Sequence, residues 1–179
     1  MRAFISYRRT DSAEVVGRIY EHLVNRFGNE NVFKDVDSIP LGTDFREVIG
    51  TAIGRCSVLI VVIGPEWLGI VDKSMAPRIG DPNDYVRSEI DAALSQGKRI
   101  IPVLVRDAKM PTAEHLPASI QKLAFLNATV VRSDPDFVND VGRLADAIGL
   151  WYVPVITTAT MRSLMPCFST ACLSVNTAS

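Results

Sequence analysis

A tyrosine and a glutamate stand four residues apart in the segment DYVRSEIDAAL, residues 84–94. The apolar residues Val86, Ile90 and Leu94 recur at helical spacing, and this predicts a helix from about Tyr85 to Gln96. On that helix Tyr85 and Glu89 lie together on another face, near its start. An aromatic ring and a carboxylate would therefore point the same way, so the pair offers a stacking surface beside a negative charge.

Two adjacent arginines, Arg8 and Arg9, interrupt the strand-like segment FISYRR near the start of the chain. The formal net charge is −1, so the chain as a whole exerts no long-range attraction on nucleic acids or anionic lipids. Any anion binding must come from a local cluster, and these two guanidinium groups are the candidate.

Most signatures of enzyme classes are absent from the sequence. There is no G-x-G-x-x-G after a strand, no Walker loop, no H-E-x-x-H and no G-x-S-x-G. The three cysteines, Cys56, Cys167 and Cys172, are widely spaced, with no C-x-x-C pair and no neighbouring histidine. We therefore expect reduced thiols and no metal site.

Five strand-then-helix units make up the chain as far as Gly149. A helix is expected over Asp11 to Phe27, with Asp11 and Glu14 spaced like a capping box, and a second one follows from Phe45. The predicted strands are AFISY, NVFKD, SVLIVVIG, RIIPVLV and ATVVR, and the segments ASIQKLAFL and DFVNDVGRLADAIG are read as a short helix and a final amphipathic helix. The six consecutive apolar residues of SVLIVVIG are typical of a central parallel strand covered on both faces.

This alternation predicts an α/β fold, a flavodoxin-like open five-stranded parallel sheet with order 2-1-3-4-5 and helices on both faces. Ligands of such sheets bind where the strand order reverses, at the carboxyl ends of the first and third strands. Tyr7, Arg8 and Arg9 follow the first strand, and GPEW, which ends in Trp67, follows the third. The topology therefore places the two arginines in the expected binding crevice.

The chain divides into a domain of residues 1–149 and a tail or linker of unknown role at 150–179. Pro154 and Pro166 interrupt any helix in the tail, and only Arg162 is charged after Asp146. No apolar run approaches the roughly 20 residues of a membrane-spanning helix, and charged residues near the start leave no room for a secretory signal. We expect a cytoplasmic protein that binds neither membranes nor nucleic acids directly.

Four segments, taken in order, resemble a Toll/interleukin-1 receptor (TIR) domain of the bacterial type: FISYRR, VFKDVDSIPLG, SVLIVVIGPEW and DYVRSEIDAALSQGKRIIPVLV. The resemblance runs from Ala3 to about Ile148 and extends to TIR domains that cleave NAD. In those relatives a glutamate on the third helix cleaves NAD between ribose and nicotinamide, accompanied by an aromatic residue, usually tryptophan, four positions earlier. Glu89 and Tyr85 occupy these positions. The tyrosine departs from the usual tryptophan but keeps a stacking face.

The resemblance implies an NAD glycohydrolase or an ADP-ribosyl cyclase, with Glu89 catalytic, NAD as substrate and no cofactor. Its expected setting is either bacterial immune (antiphage) signalling or a role as a virulence effector. The candidate substrate-binding residues are Tyr7, Arg8, Arg9, Phe33, Asp35, Ser38, Trp67 and Tyr85.

Simpler interpretations compete with these roles. Glu89 could be a solvated helix carboxylate, and Trp67 or Phe33 could be packing residues. One of the two arginines could pair with Asp35 or Asp37 to hold the loop while the other meets the ligand.

The segment DSIPLG, residues 37–42, supports a second hypothesis. The corresponding loop of TIR domains mediates association between domains, so Ile39, Pro40, Leu41 and Gly42 are the expected self-association residues. A non-catalytic adaptor that acts through TIR–TIR contacts would need this loop and not Glu89. The two functions are compatible, because enzymes of this kind often become active when their domains stack into homo-oligomers or filaments.

Overall fold

A computed structural model describes residues 1–34 and 42–149 of the chain. The strands are β1 (Ala3–Ser6), β2 (Val32–Lys34), β3 (Val58–Ile63), β4 (Arg99–Val105) and β5 (Thr129–Val131). The α-helices are α1 (Arg9–Phe27), α2 (Phe45–Gly54), α3 (Tyr85–Ser95) and α4 (Phe137–Gly149). Short 3₁₀ segments lie at Asn29–Asn31, Arg78–Gly80, Ala113–His115 and Ala118–Phe125.

The strands form one parallel sheet in the order β2-β1-β3-β4-β5, which confirms the predicted fold class. The strand β3 is buried along its whole length and pairs with β1 on one side and β4 on the other. Because successive side chains of a strand face opposite ways, its apolar run supplies two cores at once.

Helices cover both faces of the sheet. One core contains Ile60 and Val62 of β3 packed beneath α1 and α4, and the other contains Leu59 and Val61 beneath α2, α3 and Ala118–Phe125. Glu89 and Tyr85 belong to α3, so the candidate site lies on the second face.

Two local predictions differ from the structure. The prediction of a capping box at Asp11 and Glu14 is wrong, because α1 begins at Arg9 with Arg8 as its N-cap residue. No side chain caps the helix start. Asp11 is instead buried and accepts a hydrogen bond from the Glu66 N–H, at 3.1 Å. The segment expected as a short helix after β4 is a 3₁₀ segment, Ala118–Phe125, which begins directly after Pro117.

The predicted tail begins beyond α4, so it lies outside the described residues. Within 1–34 and 42–149, no helix combines the length and the apolar composition needed to cross a membrane.

Candidate functional site

Arg8 connects three segments at the carboxyl edge of the sheet. It follows β1, and its Nη1 and Nη2 atoms donate to Asp84 Oδ2 and Oδ1 at 2.9 and 3.2 Å. Its Nε donates to the backbone carbonyl of Trp67, after β3, at 3.0 Å. Arg8 is 4% exposed, and its guanidinium carbon lies 5.7 Å from the centre of the Trp67 ring. The side chain therefore binds the first strand to the turn after β3 and to the residue that precedes α3.

Asp84 has a second role as the N-cap residue of α3. Its Oδ1 accepts the N–H of Arg87 at 3.0 Å, which satisfies one of the backbone donors left free at a helix start. A second cation, Arg78, lies 3.4 Å from its Oδ2. The buried carboxylate is thus paired by charge as well as hydrogen-bonded, as a buried charge must be.

Glu89 lies one helical turn beyond Tyr85 on α3. Glu89 is only 7% exposed, whereas Tyr85 is 46% exposed. The carboxylate is therefore not the solvated helix residue of the simpler interpretation. The Tyr85 ring meets the ring of Phe45, the first residue of α2, edge to face with centroids 4.9 Å apart. These side chains place a half-exposed aromatic pair one turn from a buried acid.

The turn after β3 is held by a buried acid that the sequence analysis assigned to a helix cap. Asp11 Oδ1 accepts the Glu66 N–H, and the Asp11 carbonyl accepts from Arg106 Nη1 at 3.0 Å. A Cβ added at Gly64 would lie 2.2 Å from Asp11 Oδ2, so only glycine fits beside this carboxylate. The Gly64–Asp11 contact therefore fixes the turn whose Trp67 carbonyl holds Arg8.

Arg8 and Trp67 do not occupy the positions expected of substrate ligands. All three guanidinium nitrogens of Arg8 bind protein acceptors, and its acidic partner among the described residues is Asp84. Asp35 and Asp37, the partners considered from the sequence, lie outside those residues. Trp67 is 1% exposed and packs in the core, as its simpler interpretation held. Both side chains are therefore buried, whereas the sequence led us to expect accessible side chains at these two positions.

The other predicted residues keep their candidate roles. Arg9 is exposed and Tyr7 half-buried just after β1, while Phe33 is exposed on β2, the edge strand. Gly42 is exposed with φ at +82°, a backbone conformation that favours glycine. Asp35, Ser38, Ile39, Pro40 and Leu41 lie outside the described residues.

Asp84 and Gly64 had no predicted role. An aspartate directly before an amphipathic helix is a recognisable N-cap signal, so the capping by Asp84 was open to prediction. Its ion pair with Arg8 joins residues 76 positions apart, and no local pattern indicates such a contact.

A further feature lies outside this arrangement. A cavity of about 630 Å³ is bordered by Asp72, Asp81, Glu114 and His115, and neither Tyr85 nor Glu89 lines it.

Across residues 1–34 and 42–149, no group of three or more histidines, cysteines and acids is arranged to hold a metal ion. Burial raises the pKa of the Cys56 thiol, against the smaller opposing effect of Lys98, so Cys56 is not an activated nucleophile.

Comparison with known proteins gives a family and relatives. Residues 3–140 match the sequence model of the TIR domain family. The chain is 29% identical over 126 residues to the NAD(+) hydrolase sarm1 of Drosophila melanogaster, across 69% of this chain and 8% of that protein. It is 36% identical over 102 residues to the NAD(+) hydrolase SARM1 of Danio rerio, across 56% of this chain and 13% of that protein. The chain thus spans a small part of the length of both relatives.

A solved structure shares the fold. The TIR domains of the activated Roq1 resistosome, which directly recognizes the pathogen effector XopQ, superpose with a TM-score of 0.57 at 12% sequence identity. That match covers 82% of this chain and 98% of the other.

Proposed function

Because the chain belongs to the TIR domain family, we propose that it cleaves NAD at the bond between ribose and nicotinamide, with Glu89 as the catalytic residue. The observation that carries this proposal is a buried carboxylate on α3, one turn from a half-exposed aromatic ring. The two NAD(+) hydrolases to which the chain is similar support the choice of substrate.

The reaction suits a site with a single acid. The nicotinamide ring of NAD is cationic, so it leaves as a neutral base with the electron pair of the broken C1′–N bond, and no general acid is required. This differs from ordinary glycoside hydrolysis, in which two carboxylates divide the work. Positive charge develops on the ribose as the bond breaks, and the Glu89 carboxylate would stabilise it and orient the ribose hydroxyls.

Two products are consistent with this step. Water can capture C1′ and lose a proton to give ADP-ribose, or a nucleophilic group of the substrate itself can attack C1′ to give a cyclic isomer. The geometry of the assembled pocket decides between them.

Substrate binding is assigned to six of the residues predicted from the sequence. Tyr85, supported by Phe45, offers an aromatic edge and face to a flat ring, and Phe33 is exposed at the edge of the sheet. Arg9, exposed at the carboxyl end of β1, is the candidate partner of the pyrophosphate, because guanidinium groups pair with phosphate oxygens in two-pronged geometry. Tyr7, Asp35 and Ser38 complete the proposed set.

Nicotinamide release tests the proposal. Purified protein at high concentration should release nicotinamide from NAD, and product chromatography would separate ADP-ribose from cyclic isomers. Glu89→Gln should abolish release, because it removes the negative charge while keeping the shape of the side chain and one of its two acceptor oxygens. Glu21→Gln is the matched control, since Glu21 is an exposed glutamate of α1, on the opposite face of the sheet, and its rate should equal that of the wild type.

Activity is further proposed to depend on self-association through residues 37–42. The apolar Ile39 and Leu41 flank Pro40 in this loop, a composition suited to contact with another copy of the chain. The specific activity of the wild type should rise with protein concentration. Ile39→Asp and Leu41→Asp should remove that rise, whereas Val138→Asp, at an exposed apolar position of α4, should not.

The adaptor hypothesis gives the opposite result. If the wild type and Glu89→Gln were equally inert under conditions in which the chain assembles, the protein would act through TIR–TIR contacts without catalysis. If the concentration dependence survived both loop substitutions, the assembly proposal would be wrong.

A further inference from the structure

The buried ion pair between Arg8 and Asp84 lies at the base of the helix that carries the proposed acid. Asp84 is the N-cap residue, and Glu89 follows it by five positions, a rise of about 7.5 Å along the helix axis. The contacts that fix Asp84 therefore also fix the first turns of α3. They set the position of Glu89 along the helix axis and its direction around that axis.

Arg8 holds Asp84 in that position through three hydrogen bonds that reach two different segments. Two nitrogens grip the Asp84 carboxylate, and the third holds the carbonyl of Trp67 at the end of the turn after β3. Both side chains of the ion pair are almost fully buried, at 3% and 1% exposure, so water has no access to substitute for a missing contact. The start of α3 is thereby fixed to β1 and β3 at the point where the strand order of the sheet reverses.

This arrangement depends on the shape of the guanidinium group as well as on its charge. A lysine at position 8 keeps the positive charge, but its single ammonium group cannot reproduce the planar fork on Asp84 together with the Trp67 contact. Arg8→Lys therefore separates the geometric role of Arg8 from its electrostatic one.

We propose that Arg8 and Asp84 are positioning residues that hold Glu89 at the reacting ribose, and that Arg8 does not contact the substrate. This inference rests on the proposed function, since it assigns the ion pair to the same reaction. A displacement of a catalytic group by about 1 Å costs roughly 100-fold in rate, so a loosened helix start has a kinetic effect even in a folded protein.

Steady-state kinetics of nicotinamide release provide the first test. Arg8→Lys and Asp84→Asn should each lower kcat by about 10- to 100-fold and leave KM for NAD within about twofold of the wild type. Asp84→Asn keeps a side-chain oxygen that can cap α3, so it offers a second route if Arg8→Lys folds poorly. The matched control is Arg18→Lys, because Arg18 lies over the Phe137 ring and pairs with Asp134 on the opposite side of the sheet. It should keep both constants.

Binding of intact NAD provides the second test. In the Glu89→Gln background, which should not consume NAD, adding Arg8→Lys should leave the calorimetric Kd for NAD unchanged within about twofold. A rise of about 10-fold would show that Arg8 contacts the substrate and would overturn the proposal. Wild-type kcat in Arg8→Lys would overturn it equally. Failure of the proposed function is a separate outcome, in which the wild type itself releases no nicotinamide.

Discussion

Replacing Gly64 by alanine should destabilise the turn after β3, because the new methyl group displaces the Asp11 carboxylate. The new Cβ would lie 2.2 and 2.5 Å from the two carboxylate oxygens of Asp11, far inside normal contact distance. Asp11 is buried, its Oδ1 is used by the Glu66 N–H, and its Oδ2 lacks a hydrogen-bond partner among the described residues. The carboxylate has to move, and its bond to the turn lengthens or breaks.

The cost follows from two coupled effects. Overpacking of a filled site costs about 1–3 kcal/mol. Loss of a hydrogen bond to a charged acceptor costs about 1.5–3 kcal/mol. Alanine offsets about 0.4–1 kcal/mol by restricting the unfolded chain. Because both costs arise from one displacement they are not additive, and we expect Gly64→Ala to lower the free energy of unfolding by about 2–4 kcal/mol.

Urea unfolding followed by circular dichroism measures this change, and the chain supplies its own control. Gly17 lies within α1, and a Cβ added there meets no atom within 4 Å. Gly17→Ala should therefore raise stability by about 0.5–1 kcal/mol through helix propensity. The double variant Asp11→Ala/Gly64→Ala should be more stable than the sum of the two single changes predicts, because the carboxylate that the new Cβ would meet is no longer present. Equal stability of the two glycine variants would refute the proposed close contact.

Substitutions at two other positions probe the helix ends around the sheet. Hydrogen bonds from the Arg132 side chain, then from its backbone N–H, hold the pKa of the Asp140 carboxyl well below its ordinary range. The ionised Asp140 carboxylate therefore contributes fully to stability above about pH 4, and this contribution is lost as the pH falls further. Asp140→Asn should lower the urea midpoint at pH 7. It should also flatten the decline of stability between about pH 4 and pH 2. Tyr85→Ala removes the edge-to-face contact with Phe45 and should cost about 0.5–1.5 kcal/mol of stability beyond the lost burial, with a higher KM for NAD. Tyr85→Trp, which keeps a stacking face, should retain the KM of the wild type in the same kinetic assay.

The regular elements were predictable because their signals are local. Six adjacent apolar residues in β3 indicated a strand buried on both faces, and the alternation of strand and helix, with right-handed crossovers, restricted the sheet order to a few possibilities. The placement of Tyr85 and Glu89 on one face of α3 follows from helical periodicity alone. How deeply Glu89 is buried depends on the elements that pack around α3, and periodicity carries no information about that.

At two positions a distant partner outweighs the local signal. Asp11 and Glu14 have the spacing of a capping box, but the Asp11 carboxylate binds a backbone N–H 55 residues away. Arg8 has the position of a ligand residue at the strand end, but its guanidinium pairs with an acid 76 residues away. In both cases a buried charge took the partner that the tertiary fold brought to it, since an unpaired charge in the core would have been costly.

The proposed role of Glu89 is tested most directly by measuring the turnover of NAD and its affinity on the same pair of proteins. Removing a well-aimed charge that acts only in the transition state should lower kcat by about 10²- to 10³-fold or more, without weakening the ground-state complex. The account predicts that Glu89→Gln slows nicotinamide release by at least this factor. Its calorimetric Kd for NAD should stay within about twofold of the wild-type Kd, for which the wild type is measured at a protein concentration too low for turnover. Nicotinamide release by Glu89→Gln at the rate of an active wild type would contradict it.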